Sequence, residues 1–256
     1  MSPPLVLIAH GGAVSTLTLN RPEKRNALNT ELLAQFIAAI AAAEAIPAQR
    51  ILVLRGAGPV FCAGLDLDEA AQPERASASA DLVAQALRAL AATRLITIAA
   101  VQGAAIAGGA GLMSACDFAL VTREAKFGYP EVRRGLVPAL IMTFLRRQLR
   151  ERDARELLLL GKTFDATHAQ AIGLVNRVVA DEAALATELH AMISSLLQGA
   201  PGAATETKKL LAELWPASVE SDLNRALALH LGARNSAEAK EGIAAFHEKR
   251  PPHWAP

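Results

Sequence analysis

Apolar positions along the chain fall into two rhythms. Short bursts of four to seven dominate the first half, and wider helical spacing takes over after residue 138. The opening LVLIAHGGAVSTLTLN (residues 5–20) is two apolar runs joined by His10-Gly11-Gly12, which predicts a β-hairpin. The polar stretch RPEKRNALN follows as a loop, with Asn29 or Thr30 placed to cap a helix from Glu31 to about Ile46. ILVLRG (51–56) predicts a buried strand, FCAGLDLDE (61–69) a Gly-broken loop, residues 81–93 an amphipathic helix, and ITIAAVQG (96–103) another strand. A helix over 108–116, the strand FALVT (118–122) and the loop KFGYPEVRRGLVP (126–138) come next. From Pro138 the pattern is mostly helical: ALIMTFLRRQL, RDARELLLL and DATHAQAIG, then a strand LVNRVV, then helices over 181–198, 202–214, 217–232 and a last one carrying AEAKEGIAAFHEKR. Strands alternating with helices and then a helical tail define an α/β chain.

Composition narrows what such a chain can do. At 256 residues with 52% hydrophobic content, it can bury a sizeable core. Twenty-six basic residues balance twenty-five acidic ones, and aromatic residues make up 4%, so neither a cationic footprint nor stacking platforms for nucleic acid are expected. Residues 95–116 carry no charge and are long enough to span a bilayer. Gln102-Gly103 and Gly108, Gly109 and Gly111 interrupt them, however, which predicts a buried strand, turn and helix, and no membrane association. Cys62 and Cys116 sit in apolar runs without metal-ligand spacing, and residues 1–10 lack a charged leader segment. Both features lead to the expectation of a cytoplasmic protein without a metal.

Candidate chemistry begins at AIAGGAGLMSACD (105–117). GAGLMS is similar to a dinucleotide fingerprint, but the third glycine is missing and no acid stands at the end of a second strand about twenty residues on. A second Gly-broken loop, FCAGLD, also follows a strand. Two such loops can each present one backbone N–H, and two converging N–H groups make an oxyanion hole. His10, His168, His190, His230, His247 and His253 pair with no Ser or Cys in a nucleophile motif, and Asp117 and Glu124 receive no role.

Six motifs, LTLNRPEKRNALN, VFCAGLDLDE, AAVQGAAIAGGAGLMSACD, FGYPEVRRGLVP, AQAIGLVNRVV and EGIAAFHEKR, occur in the order seen in the crotonase (enoyl-CoA hydratase/isomerase) superfamily, which the chain resembles over nearly its whole length. The resemblance implies a crotonase-like spiral of ββα units over residues 1–195 and a helical trimerisation region over 196–256. It also implies a homo-oligomer, a trimer or dimer of trimers, acting on acyl-CoA thioesters through an enolate, with no cofactor beyond the CoA of the substrate. Carried onto this sequence, the oxyanion donors are the amides of Leu65 and Gly108. Ala63, Leu65, Asp66, Leu67 and Asp68 flank the CoA, Lys24 and Arg25 lie near its phosphates, and Phe246 and Lys249 reach over the adenine from a neighbouring subunit.

Family hydratases usually carry two glutamates. Here the first position is Gly111, and the second is Glu131, in GYPEVRRG. Ala107 replaces a common glycine, a change small enough in bulk to be tolerated, and PALIMTF (138–144) replaces a Gly-rich loop, which implies an altered acyl pocket. In having both a glycine at the first glutamate's position and a P-A loop, the chain resembles some hydratases of branched acyl-CoAs. The reading is therefore hydration of a 2-enoyl-CoA by a single glutamate acid/base. Double-bond isomerisation, which needs only one carboxylate, is the alternative, and a catalytically silent CoA-binding subunit is a third.

Overall fold

The computed structural model describes residues 3–70, 72–214 and 218–254. The hairpin β1 (Val6–Gly11) and β2 (Val14–Leu19) leads into helix α1 (Thr30–Glu44), which Asn29 caps by accepting a hydrogen bond from the Leu32 amide at 2.9 Å. Strand β3 (Ile51–Gly56), the short α2 (Leu67–Ala70) and α3 (Pro73–Ala92) follow. Then come β4 (Ile96–Val101), β5 (Ala104–Ile106) and α4 (Gly108–Ala115), and after them β6 (Phe118–Thr122), β7 (Lys126–Gly128) and α5 (Ala139–Gln148). The remainder is α6 (Glu151–Leu160), β8 (Thr163–Asp165), α7 (Ala166–Ala171), β9 (Arg177–Val179) and helices α8 (Glu182–Leu197), α9 (Pro201–Glu213), α10 (Val219–Arg234) and α11 (Ala237–His247).

Six strands form one sheet in the order β1-β2-β3-β4-β6-β9, parallel apart from the β1–β2 hairpin. A second sheet, β5-β7-β8, stands beside it, and Cys62 adds a single parallel bridge to Ala105. The turns that begin at β3, β4 and β6 each give a strand to the large sheet, a short strand or bridge to the small one, and then a helix. That repeat is the crotonase-like ββα spiral.

The central strands are mostly apolar because both faces are covered. Ile51, Val53, Ile98, Ala100 and Leu120 face α8, whose Leu185 is buried with them and whose Leu189, Met192 and Ile193 pack alongside. Leu52, Leu54, Ala99 and Val101 face the opposite way, into the main core with α1, α3 and α4. The uncharged stretch 95–116 lies inside this core, and among the described residues no helix is long and apolar enough to cross a membrane. Both cysteines are buried and free, and burial pushes each thiol up to about 12.

Several boundaries differ from expectation. Helix α3 starts at Pro73 rather than near residue 81, because the Ala-rich segment before it continues the helix. The stretch 126–138 is not all loop, since Lys126–Gly128 pairs with both β5 and β8 and Pro130–Arg134 forms a 3-10 turn. Strands β5 and β8 are three residues each, too short to leave a periodic signal. Asp117, for which the sequence suggested no role, ties three elements together. Its carboxylate accepts from the Thr97 amide, the Thr97 hydroxyl and the Lys208 ammonium at 2.7–2.9 Å.

Candidate functional site

The two Gly-broken loops are zipped together by their backbones. The Cys62 amide donates to the Ala104 carbonyl at 3.1 Å, and the Ile106 amide donates to the Cys62 carbonyl at 3.0 Å. On its other edge the 61–66 loop is held by Leu28, whose amide donates to Gly64 O and whose carbonyl accepts from the Asp66 amide. Alternate backbone groups are used up in this way, and the amide of Leu65 takes part in neither ladder. Across the seam, α4 begins at Gly108, and its first internal bond runs from the Gly111 amide to the Ala107 carbonyl. The amides of Leu65 and Gly108 have no hydrogen-bond partner among the described residues. A Cβ at Gly108 would stand 3.8 Å from the Leu65 nitrogen, so the missing side chain is what leaves room between the two donors. The positive end of α4 adds to their pull on a developing negative charge.

Ala107, just before α4, has φ 49° and ψ −121°. An L-residue is strained in that region, at a cost of about 1–3 kcal/mol. The expectation from bulk alone therefore needs correcting, because the penalty for alanine here is conformational rather than steric. The turn is held by the Ala107 amide donating to Gly128 O at 2.8 Å.

Glu131 stands in the 3-10 turn Pro130–Arg134, which Gly135 ends in a left-handed conformation and which the Leu136 amide ties down by donating to Glu131 O at 2.9 Å. The side chain is 8% exposed, and Oε2 is buried without a partner. Burial pushes the carboxyl up to about 7, against the opposing pull of its own backbone amide and the Arg134 charge. Such a group is present in both protonation states near neutrality, as an acid/base catalyst requires. The Arg134 guanidinium lies over the Phe246 ring at 4.8 Å, so α11 packs directly on the turn that carries Glu131.

One cavity of about 330 Å³ collects these groups. Of the expected residues, Lys24, Arg25, Ala63, Leu65, Asp66, Leu67, Asp68, Gly108, Glu131 and Phe246 line it. Lys249 is exposed and is not on its wall. Phe246 was expected to arrive from a neighbouring subunit, yet α11 folds back and brings it to the cavity of its own chain. That return is possible because Gly242 meets the Arg134 backbone at a distance no side chain would allow. Asp66 proves structural as well as lining. It pairs with Arg21 and accepts from the amides of Asp68 and Glu69, and these partners hold its carboxyl below the usual range although burial alone would raise it. Gly111 is buried and off the cavity wall, since a Cβ there would meet Ile141 Cγ1 at 3.0 Å. Ile141 thus occupies the space beside the position where a second glutamate is usual.

Sequence reasoning missed other contributors. Buried Asn26 donates to the carbonyls of Ala57, Val60 and Phe61 and accepts from the Arg21 amide, pinning the Lys24–Arg25 loop against the oxyanion loop. Its φ is 55°, a conformation asparagine tolerates better than most residues, but the sequence showed only an asparagine in a polar loop. His230, His247, Val83 and Leu136–Ile141 also line the cavity. The histidines carried no motif, and only PALIMTF had been marked as unusual.

A family model described as enoyl-CoA hydratase/isomerase matches residues 9–256. A Thermus thermophilus protein named as a candidate enoyl-CoA hydratase is 38% identical, over 95% of this chain and 98% of its own length. The 2,3-dehydroadipyl-CoA hydratase of Escherichia coli is 32% identical, over 97% and 98%. The solved structure of an enoyl-CoA hydratase from Mycobacterium avium superposes with a TM-score of 0.86 at 36% identity, covering 99% of this chain and all of that one. With the match over residues 9–256 and these relatives sharing its ββα spiral, the chain belongs to the enoyl-CoA hydratase/isomerase family.

Proposed function

We propose that this protein adds water reversibly to a 2-enoyl-CoA thioester. The amides of Leu65 and Gly108 hold the thioester oxygen, each worth roughly 3 kcal/mol to the transition state. Water attacks C3, and the electron pair moves onto the oxygen between the two amides. Protonated Glu131 delivers its proton to C2, and its carboxylate then takes the proton released by the attacking water, so the enzyme returns to its starting state. The observation that carries this reading is the Glu131 carboxyl, buried with one oxygen unpartnered, on the cavity that also holds the paired amides. Hydratase names among the relatives support it.

The cations Lys24 and Arg25 would take the CoA phosphates at the cavity rim, where Lys24 now lies 3.5 Å from Asp68. A homo-oligomer, a trimer or dimer of trimers, is part of the same proposal. It is supported by α9, which buries none of its residues and exposes Leu210 and Leu211, with Leu214 exposed just after its end.

Ile141 beside Gly111 favours a second reading, double-bond isomerisation, in which Glu131 alone moves a proton between C2 and C4. Incubation of matched 2-enoyl and 3-enoyl thioesters in ¹⁸O-labelled water separates the two. Hydration places label on the product of the 2-enoyl substrate, whereas isomerisation shifts the double bond without label. No change in either substrate refutes both.

A further inference from the structure

Where the segment Val137–Ile141 lines the cavity, there is a polar group that the proposed reaction leaves unused. His230, on α10, is 9% exposed, and its ring lines the cavity together with Val83, Val137 and Leu140. Its Nδ1 lies 3.4 Å from the Val137 carbonyl oxygen. A carbonyl only accepts, so Nδ1 carries the hydrogen and Nε2 presents a bare lone pair. That Nε2 is buried and has no partner. Burial, followed by the charge of Arg234 one turn further along α10, lowers the imidazole's pKa and keeps the ring neutral. The cations that line the cavity, Lys24, Arg25 and Arg134, come from other elements: the loop before α1 and the Pro130–Arg134 turn.

We propose that His230 determines acyl specificity, its Nε2 accepting a hydrogen bond from a hydroxyl carried on the acyl chain. This rests on the reading of the cavity as an acyl-CoA site. A purely apolar chain would leave the acceptor buried and unsatisfied, and a carboxylate would set a second acceptor against it. A hydroxyl is the small group that donates without adding charge.

Calorimetry with saturated acyl-CoA thioesters, which cannot be hydrated, tests the inference independently of turnover. Chains of graded length ending in methyl, hydroxymethyl or carboxylate are compared. At one length the hydroxymethyl chain is expected to bind wild-type protein about 3- to 10-fold tighter than its methyl counterpart. His230→Leu should reduce that ratio to one or below, and His230→Gln, which can still accept, should restore part of it. The inference is overturned by equal affinities at every length in wild-type protein, by a preference that survives His230→Leu, or by tightest binding of the carboxylate chain. Hydration of an unsubstituted 2-enoyl-CoA is assayed in parallel. Its absence alone sinks the hydratase reading while the affinities still judge His230, and failure of every thioester to bind sinks both.

Discussion

Gly108→Val separates catalysis from folding more cleanly than any other single change at this site. The built Cβ meets only Leu28 Cδ1 closely, at 3.2 Å, and stands 3.8 Å from both Gly64 Cα and the Leu65 nitrogen. Leu28 Cδ1 is the end of a flexible side chain and can swing by the few tenths of an ångström required. Gly108 is not among the residues with positive φ, so a side chain adds no backbone strain. Stability should therefore stay within about 1 kcal/mol of wild type, a Tm shift of roughly 2–4 °C at this chain length. The methyl groups, however, fill the gap in which the thioester oxygen must sit between the two amides. Loss of one oxyanion donor costs about 10²–10³ in kcat, so a fall of at least 100-fold is expected. The assay is loss of the conjugated enoyl-thioester absorbance under saturating substrate, beside a circular-dichroism melt. Gly202→Val is the control, because a Cβ there meets nothing within 4 Å. A folded Gly108→Val enzyme with near-wild-type kcat would refute the assignment of the oxyanion hole.

Glu131→Gln should lower kcat by roughly 10²–10⁴ with little change in CoA-thioester affinity. It should also abolish a pH–rate limb centred near 7, where the burial-raised carboxyl titrates. The same shift makes a stability prediction. Because the folded carboxyl holds its proton up to about 7 and the unfolded one only to 4.5, wild-type stability should fall between those values and level off above them. The size is about 3 kcal/mol, and Glu131→Gln should remove the slope in a urea titration series; an unchanged slope counts against the burial argument. Ala107→Gly should stabilise the protein by about 1 kcal/mol through relief of the strained turn, and a lower Tm would contradict that account. Replacing Leu211 and Leu214 together by Glu should dissociate an oligomer, as read by light scattering, and a wild-type protein that already runs as a monomer excludes that interface.

Much of this molecule was legible before any coordinates. The short runs of β3 and β4, ILVL and ITIAAV, are rich in β-branched residues and bounded by turn residues, which is what marks them as strands covered on both faces rather than as buried helix. The two glycine loops suggested paired backbone amides, whereas Glu131 was singled out only by the chain's resemblance to a family pattern, since no local property of the letters marks one glutamate among many. The absence of a second carboxylate at Gly111 was equally plain. The short strands β5, β7 and β8 were not legible, because three residues carry no period and their pairing partners lie dozens of positions away.

Tertiary structure alone decided the rest, through contacts between distant segments. Burial raised Glu131 toward neutrality, and burial is a property of its surroundings rather than of the letter E. Ile141 filled the space beside Gly111, Asn26 clamped two loops, and the return of α11 put Phe246 on its own chain's cavity. His230 became notable only when α10 packed its ring against the Val137 carbonyl and left one nitrogen bare. The sequence determined which backbone and side-chain chemistry was available. Packing determined which of those groups lost water, and desolvation is what turns an ordinary glutamate or histidine into a group with a function.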